Sequence, residues 1–174
     1  MKKNKKEDWF IQGMLILSKD GFSKITIDNL CSILKVTKGS FYHHFGNIDG
    51  FIKALMEYWL EIHTLSFIKE SEKIENILIR RDYLQMKSIG AEYKNEQAIR
   101  AWGYSNPIVR EYVQRVDQTR LNYLIDLRIK SGESYKTARY MAMLEYATLV
   151  GIQQLYPDLD KDELTEMYTN KSVK

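Results

Sequence analysis

Apolar residues recur at spacings of three and four along most of the chain, and this pattern predicts helices from end to end. Over residues 7–19, Phe10, Ile11, Met14, Leu15 and Leu17 form the apolar face of a first helix, which Asp20-Gly21 stops. Phe22 and Ile25 read as apolar plugs beneath the helices that follow. Thr26 precedes Ile27, Leu30, Cys31 and Leu34, so it caps a helix of about two turns. Lys35-Val36 interrupts that run, and Thr37 caps a second short helix over 38–45 with Phe41 and Phe45 turned inward. Asn47 then caps a longer helix, from 48 to about 69, with a stripe of Phe51, Ile52, Leu55, Trp59 and Ile62. Two short helices joined by a tight turn, the second polar on its outer face, form the pattern of a helix-turn-helix.

The remainder also reads as helix. Ile74, Ile77, Leu78, Tyr83, Leu84 and Met86 mark a helix over about 71–93, and a short one follows over 95–104. Pro107 suits the first turn of a helix reaching residue 130, with Val109, Tyr112, Val113, Val116, Tyr123, Leu124 and Leu127 in register. Ser134 caps a helix that Pro157 stops, and Asp160 with Glu163 forms a capping box for the last one. The 134–156 helix carries Tyr135, Ala138, Met141, Ala142, Leu144, Tyr146, Ala147, Leu149, Val150, Ile152 and Leu155 around nearly its whole circumference. Such a helix is buried on all sides. Either it is the central helix of a monomer, or it serves its own core on one side and a second subunit on the other. In the second reading Ala138, Met141, Ala142, Leu149 and Ile152 are the candidate dimer interface. The fold class is all-α: a three-helix helix-turn-helix head joined by a long helix to a helical body. The expected domains are residues 1–46 and 47–174.

Charge sharpens this picture. The 174 residues carry a net +3. Residues 1–46 hold eight lysines against four carboxylates, a net +4, whereas the rest holds 18 basic and 19 acidic residues, a net −1. Lysine-rich termini also serve solubility, but here the positive charge lies on the segment with the helix-turn-helix, as phosphate binding requires. Residues 1–6 read as a basic arm near the DNA backbone or minor groove, or as a plain solvated tail. A single cysteine permits no internal disulfide and suits a reducing cytoplasm. The basic start lacks an apolar run long enough for a signal peptide, and no stretch approaches the roughly 20 apolar residues of a membrane span.

The polar N-terminal turn of the 38–45 helix is the candidate reading surface. Lys38 reaches guanine acceptors or a phosphate, Gly39 allows close backbone approach, and Ser40 donates to either target. Thr26, Leu30, Val36, Thr37, Lys38, Gly39, Ser40, Tyr42, His44 and Phe45 stand in register with T-x-x-x-I-A-x-x-A-G-V-S-x-G-T-L-Y-x-H-F. On these residues the chain resembles the TetR family of bacterial transcriptional repressors, over roughly its first third. The resemblance implies phosphate contacts from Thr26, Tyr42 and His44, and a base-methyl or sugar contact from His43. Three residues depart from the pattern. Lys35 stands where the family has a turn glycine, which costs on the order of 1 kcal/mol if the position needs φ > 0 and adds a cation that can meet a phosphate. Ile48 stands where relatives carry a phosphate-gripping lysine, and the neighbouring Asp49 repels phosphate, so a weaker backbone grip is expected. Cys31, at a usual alanine position, reads as a small buried filler.

The resemblance further implies a homodimer on an inverted-repeat operator in double-stranded DNA, and repression relieved by a small-molecule effector. Phe67, Tyr83, Met86, Trp102, Tyr104, Tyr112 and Tyr123 are candidates for the effector cavity, and equally for plain core. Arg100, Arg120 and Arg128 suit an anionic ligand or, more commonly, partner carboxylates. No cofactor or metal is expected: adjacent His43 and His44 point about 100° apart, and His63 and Cys31 lack zinc-like spacing. Neither a glycine-rich phosphate loop nor a nucleophile elbow is present, so an enzyme is not expected. The alternative to a DNA-binding regulator is a helical protein–protein interaction module that has lost sequence-specific reading.

Overall fold

The computed structural model describes residues 5–90, 93–156 and 158–170. The tip of the expected basic arm and the Pro157 stop lie outside these residues. The described elements are α1 (Lys6–Asp20), a 3₁₀ turn (Phe22–Lys24), α2 (Ile27–Leu34), α3 (Lys38–Phe45), α4 (Ile48–Leu60), a π turn (Glu61–Leu65), α5 (Ser66–Ser71), α6 (Ile77–Gly90), α7 (Tyr93–Ser105), α8 (Pro107–Lys130), α9 (Tyr135–Leu155) and α10 (Lys161–Asn170). No strand occurs among the described residues.

Short polar side chains start most of these helices by accepting from otherwise orphaned backbone N–H groups. Thr26 accepts from the Asn29 amide at 3.2 Å, Thr37 from Ser40 at 3.4 Å, Asn47 from Gly50 at 2.8 Å and Ser134 from Thr137 at 3.2 Å. Asn76 and Asn106 each accept from the two following helical amides. The Asp160/Glu163 capping box is reciprocal: Asp160 accepts from the Glu163 amide at 2.8 Å, and Glu163 accepts from the Asp160 amide at 3.3 Å.

The chain folds as two compact units, each built from two segments. The first comprises residues up to Glu61 together with Lys94–Arg115. Its centre is an aromatic cluster: Trp9 lies edge-on to Phe41 (5.6 Å) and Phe45 (5.7 Å), and Phe45 packs on Phe51 at 5.0 Å. Such ring pairs add about 0.5–1.5 kcal/mol beyond the area they bury. Leu17, Leu30, Leu55, Met56 and Trp59 complete this core. Trp102 of α7 stacks on Phe22, with planes 5° apart, and Arg115 of α8 forms an ion pair with Glu57 of α4 at 3.0 Å. The second unit comprises Ile62–Tyr93 and Val116–Lys174. Ile89 and Leu164 are buried at its heart, with Leu149, Ile152 and Leu159 packed around them.

Two joints depend on backbone geometry rather than on apolar pattern. Lys35 ends α2 in the left-handed region, with φ 54° and ψ 46°. It is the one non-glycine residue with positive φ among those described. Gly50, in the first turn of α4, lies so close to the end of α3 that a Cβ there would overlap the Phe45 carbonyl oxygen.

Several details differ from the sequence-based expectations. The buried face of α1 is Trp9, Gly13, Met14, Ile16 and Leu17, while Ile11 and Leu15 are exposed. Two large flanking residues widened the apparent stripe, and Gly13 reveals the true one because Leu55 and Phe51 pack directly over it. Phe22 is exposed rather than a buried plug, and its ring is covered on one face by Trp102. The helix expected over 48–69 is interrupted by the π turn, and Ile62, expected to face the core, is exposed. The helix expected over 71–93 begins only at Ile77, after residues 72–76, where Arg80 donates to the Glu72 and Ile74 carbonyls. The expected α8 matches the observed bounds.

Candidate nucleic-acid interface

The surface of α2 and α3 is built by local rules. Phe41 has no exposed surface and ties α3 into the aromatic cluster, so the opposite side of this two-turn helix must face outward. Lys38, Gly39, Tyr42 and His43 are exposed there, and Ser40 and His44 are half-buried. Tyr42 lies one turn after Lys38, on the same face. A Cβ added at Gly39 would meet only the Thr37 hydroxyl, at 3.6 Å, so the backbone there is open to close approach. Thr26, Lys35 and Thr37 are exposed at the ends of the two helices. The nine residues expected to contact DNA therefore fall on α2, α3 and the turn that joins them. His44 is the most packed: its ring lies against Trp9 at 6.2 Å and Phe45 at 5.8 Å. Ile48 is half-buried and Asp49 exposed at the start of α4.

Asp28 was missed by pattern reading. Its carboxylate meets the Lys38 ammonium at 2.5 Å, between two largely exposed side chains. Hydrogen bonding to Asp28, and its charge, hold Lys38 above the ordinary lysine range, so the ammonium stays protonated at any physiological pH. An acidic residue inside a lysine-rich head was the available signal. Cys31 is buried beneath this surface, and burial pushes its thiol up, as suits a filler rather than a nucleophile.

The candidate effector residues are divided between the two units. In the second unit, Tyr83 donates to Glu70 at 2.6 Å, Lys87 pairs with the same carboxylate at 3.0 Å, and the Lys87 ammonium lies over the Phe67 ring at 5.3 Å. Tyr83 and Lys87 hold the Glu70 carboxyl below its usual range. Tyr123 hydrogen-bonds Ser71 at 2.9 Å, and Met86 is exposed. In the first unit, Trp102 is committed to Phe22, and Tyr112 is half-buried beside Glu57. Tyr104 is 87% exposed. Arg100 pairs with Glu96, and Arg128 with Glu133 and Glu145, so both serve carboxylates. Arg120 instead donates to Thr64 at 3.0 Å, to the His63 carbonyl at 3.3 Å and to Tyr146 at 3.4 Å, while Tyr146 donates to Asp117 at 2.6 Å.

Of the candidate dimer residues, Ala138 and Ala142 are fully buried within their own unit, and Leu149 and Ile152 pack on its core. Met141 is exposed, alongside Tyr140, Met143 and Leu144. Among the described residues no three His, Cys, Asp or Glu side chains are grouped to hold a metal ion, and no helix is long and apolar enough to cross a membrane.

Residues 14–55, from α1 into α4, match the family model for bacterial regulatory proteins of the tetR family. Over these residues the head is similar to the TetR family. The match spans the helix-turn-helix with parts of α1 and α4, and what it resembles there is a family of bacterial regulatory proteins. Across the whole chain, the fold is that of a solved structure from Rhodococcus sp. described as a TetR-family transcriptional regulator. The likeness has a TM-score of 0.72 and covers 97% of this chain and 96% of that one, at 14% identity. At that identity the likeness concerns the fold, which is TetR-like through head and body. No curated protein matches the chain in sequence.

Proposed function

We propose that the chain is a homodimeric repressor that reads an inverted-repeat operator through α3 and leaves it when a small molecule binds the body. The observation that carries this reading is the exposed N-terminal turn of α3. Lys38, Gly39, Tyr42 and His43 present donors and open backbone from a rigid aromatic base, in a segment of net +4. An α-helix fits the major groove, and its first turn brings such groups to base edges and phosphates. Thr26, Lys35, Thr37, Ser40 and His44 supply the flanking contacts. Residues 1–46 form the DNA-binding domain, and residues 47–174 hold the effector and dimer functions. Reading DNA places the protein in the cytoplasm, and its chemistry is binding rather than catalysis.

Dimerisation is assigned to α9. Ala138 and Ala142 face the unit's own core, and the opposite face offers Tyr140, Met141, Met143 and Leu144. Symmetric pairing would bring two recognition helices to half-sites one DNA turn apart, or a multiple of it. The effector is assigned to the aromatic group Phe67, Tyr83 and Tyr123. Its binding would shift α4 and with it the head.

The test is fluorescence anisotropy on the duplex upstream of the protein's own gene, against a scrambled duplex at two salt concentrations. Binding that survives scrambled competitor supports the reading. Equal loss for both duplexes as salt rises would reduce it to phosphate attraction. The double substitution Lys38→Ala, Tyr42→Ala is expected to abolish operator binding while leaving the dimer intact. Equal operator affinity with and without an effector that binds the body would sink the release mechanism.

A further inference from the structure

We infer that Asp28 is a specificity-determining residue of the head, which acts by holding Lys38 for base reading at the expense of indiscriminate phosphate binding. The inference rests on the DNA-binding reading above. Lys38 sits at the first position of α3, where a cation meets the groove, and its ammonium is held by Asp28 at 2.5 Å. The side chains are 60% and 74% exposed, and ion pairs this open to water contribute little to folding. The contact therefore calls for an explanation outside stability.

An ammonium has three donors. With one engaged by Asp28, two remain to face the acceptor edge of a base pair, and the pairing fixes where they point. A phosphate makes a different demand. To grip one, Lys38 must swing away, which leaves the Asp28 carboxylate facing the backbone without its counter-charge. Sequence-independent binding is built almost wholly from phosphate contacts. The penalty thus falls mainly on random DNA, and a site that offers Lys38 a base acceptor largely escapes it. This is discrimination through an unfavourable alternative rather than through an added attraction.

Asp28→Asn tests the inference because the amide keeps the size of the side chain and loses its charge. The probes are a pool of random-sequence 30-base-pair duplexes and the duplexes that wild-type protein enriches from that pool. For the variant, affinity for the random pool is expected to rise by roughly fivefold, with the salt slope steeper by about 0.9 for each lysine released. Affinity for the enriched duplexes is expected to change less than twofold, so the specificity ratio falls. Asp49→Asn removes the same charge at the start of α4 without touching Lys38; relieving its repulsion of phosphate should raise affinity for both probes alike and leave that ratio closer to wild type. A thermal melt of each variant separates these effects from any loss of the helix-dipole contribution that Asp28 makes in the first turn of α2.

An unchanged random-pool affinity and slope in the variant would overturn the inference while the DNA-binding reading stands. So would an equal rise on both probes, or a fall in the specificity ratio for Asp49→Asn as large as that for Asp28→Asn, because either would reduce Asp28 to net charge. Failure of wild-type protein to bind any duplex would instead overturn the parent reading and this inference with it.

Discussion

Lys35 is a side chain placed where the backbone asks for none. It ends α2 at φ 54°, and an L-residue there costs on the order of 1 kcal/mol relative to glycine. Lys35→Gly is therefore expected to stabilise the fold by about 1 kcal/mol, raising Tm by roughly 2–4 °C in a chain of this length. A lower Tm in a calorimetric melt would contradict the strain. The same substitution removes a cation from the surface proposed to face DNA, so operator affinity should fall as stability rises. Trp9 offers the reverse test. Its indole N–H is buried without an acceptor among the described residues, while its rings join Phe41, His44 and Phe45 into one cluster. Trp9→Ala should cost about 3–5 kcal/mol. Trp9→Phe should cost far less, because it removes an unsatisfied donor together with part of the volume. Urea denaturation of the two variants measures the difference, and equal losses would mean that the N–H is satisfied after all.

Among whole elements, helix starts were legible and helix interiors less so. Thr26, Thr37, Asn47, Ser134 and Asp160 announce their helices because capping is a contact of three residues or fewer, written entirely in local sequence. The π turn at Glu61–Leu65 has no such signature. It depends on Arg120, more than fifty residues away, which donates to the His63 carbonyl and the Thr64 hydroxyl, and on Ser66, which donates to Ile62 at 2.5 Å. Periodicity alone reads straight through it and places Ile62 inside. The candidate site was legible to the same local extent: the polar turn of α3 could be found, but the Asp28–Lys38 contact joins two helices and could not. Arg120→Ala should destabilise the fold by about 1–3 kcal/mol, because Thr64 is buried and loses its partner. It should also speed amide exchange over residues 61–66 well before it affects α1–α3. Uniform protection in a hydrogen-exchange comparison would deny Arg120 that local role.

For the whole molecule, the two units are not two lengths of chain. The chain passes between them after Glu61, after Tyr93 and after Arg115, each time inside a run of helical turns. A fragment ending at residue 61 therefore keeps the helix-turn-helix but loses Trp102 from Phe22 and Arg115 from Glu57. Such a fragment is expected to melt roughly 4–8 °C below the full chain in circular dichroism, since it forfeits a ring stack worth about 1 kcal/mol and an exposed ion pair that adds little. An equal Tm would show that α7 and the start of α8 add nothing to the head. The joint between α3 and α4 has a consequence of another kind, in what heredity can vary. At most exposed positions of a helix, alternatives are tolerated in proportion to their size and shape. At Gly50 size is irrelevant, because the first carbon of any side chain already meets the Phe45 carbonyl oxygen. In a deep mutational scan, alanine should be depleted there as severely as tryptophan, while exposed Asp49 next to it accepts many replacements. That flat profile, blind to chemistry, would be the mark of a position selected for having nothing attached.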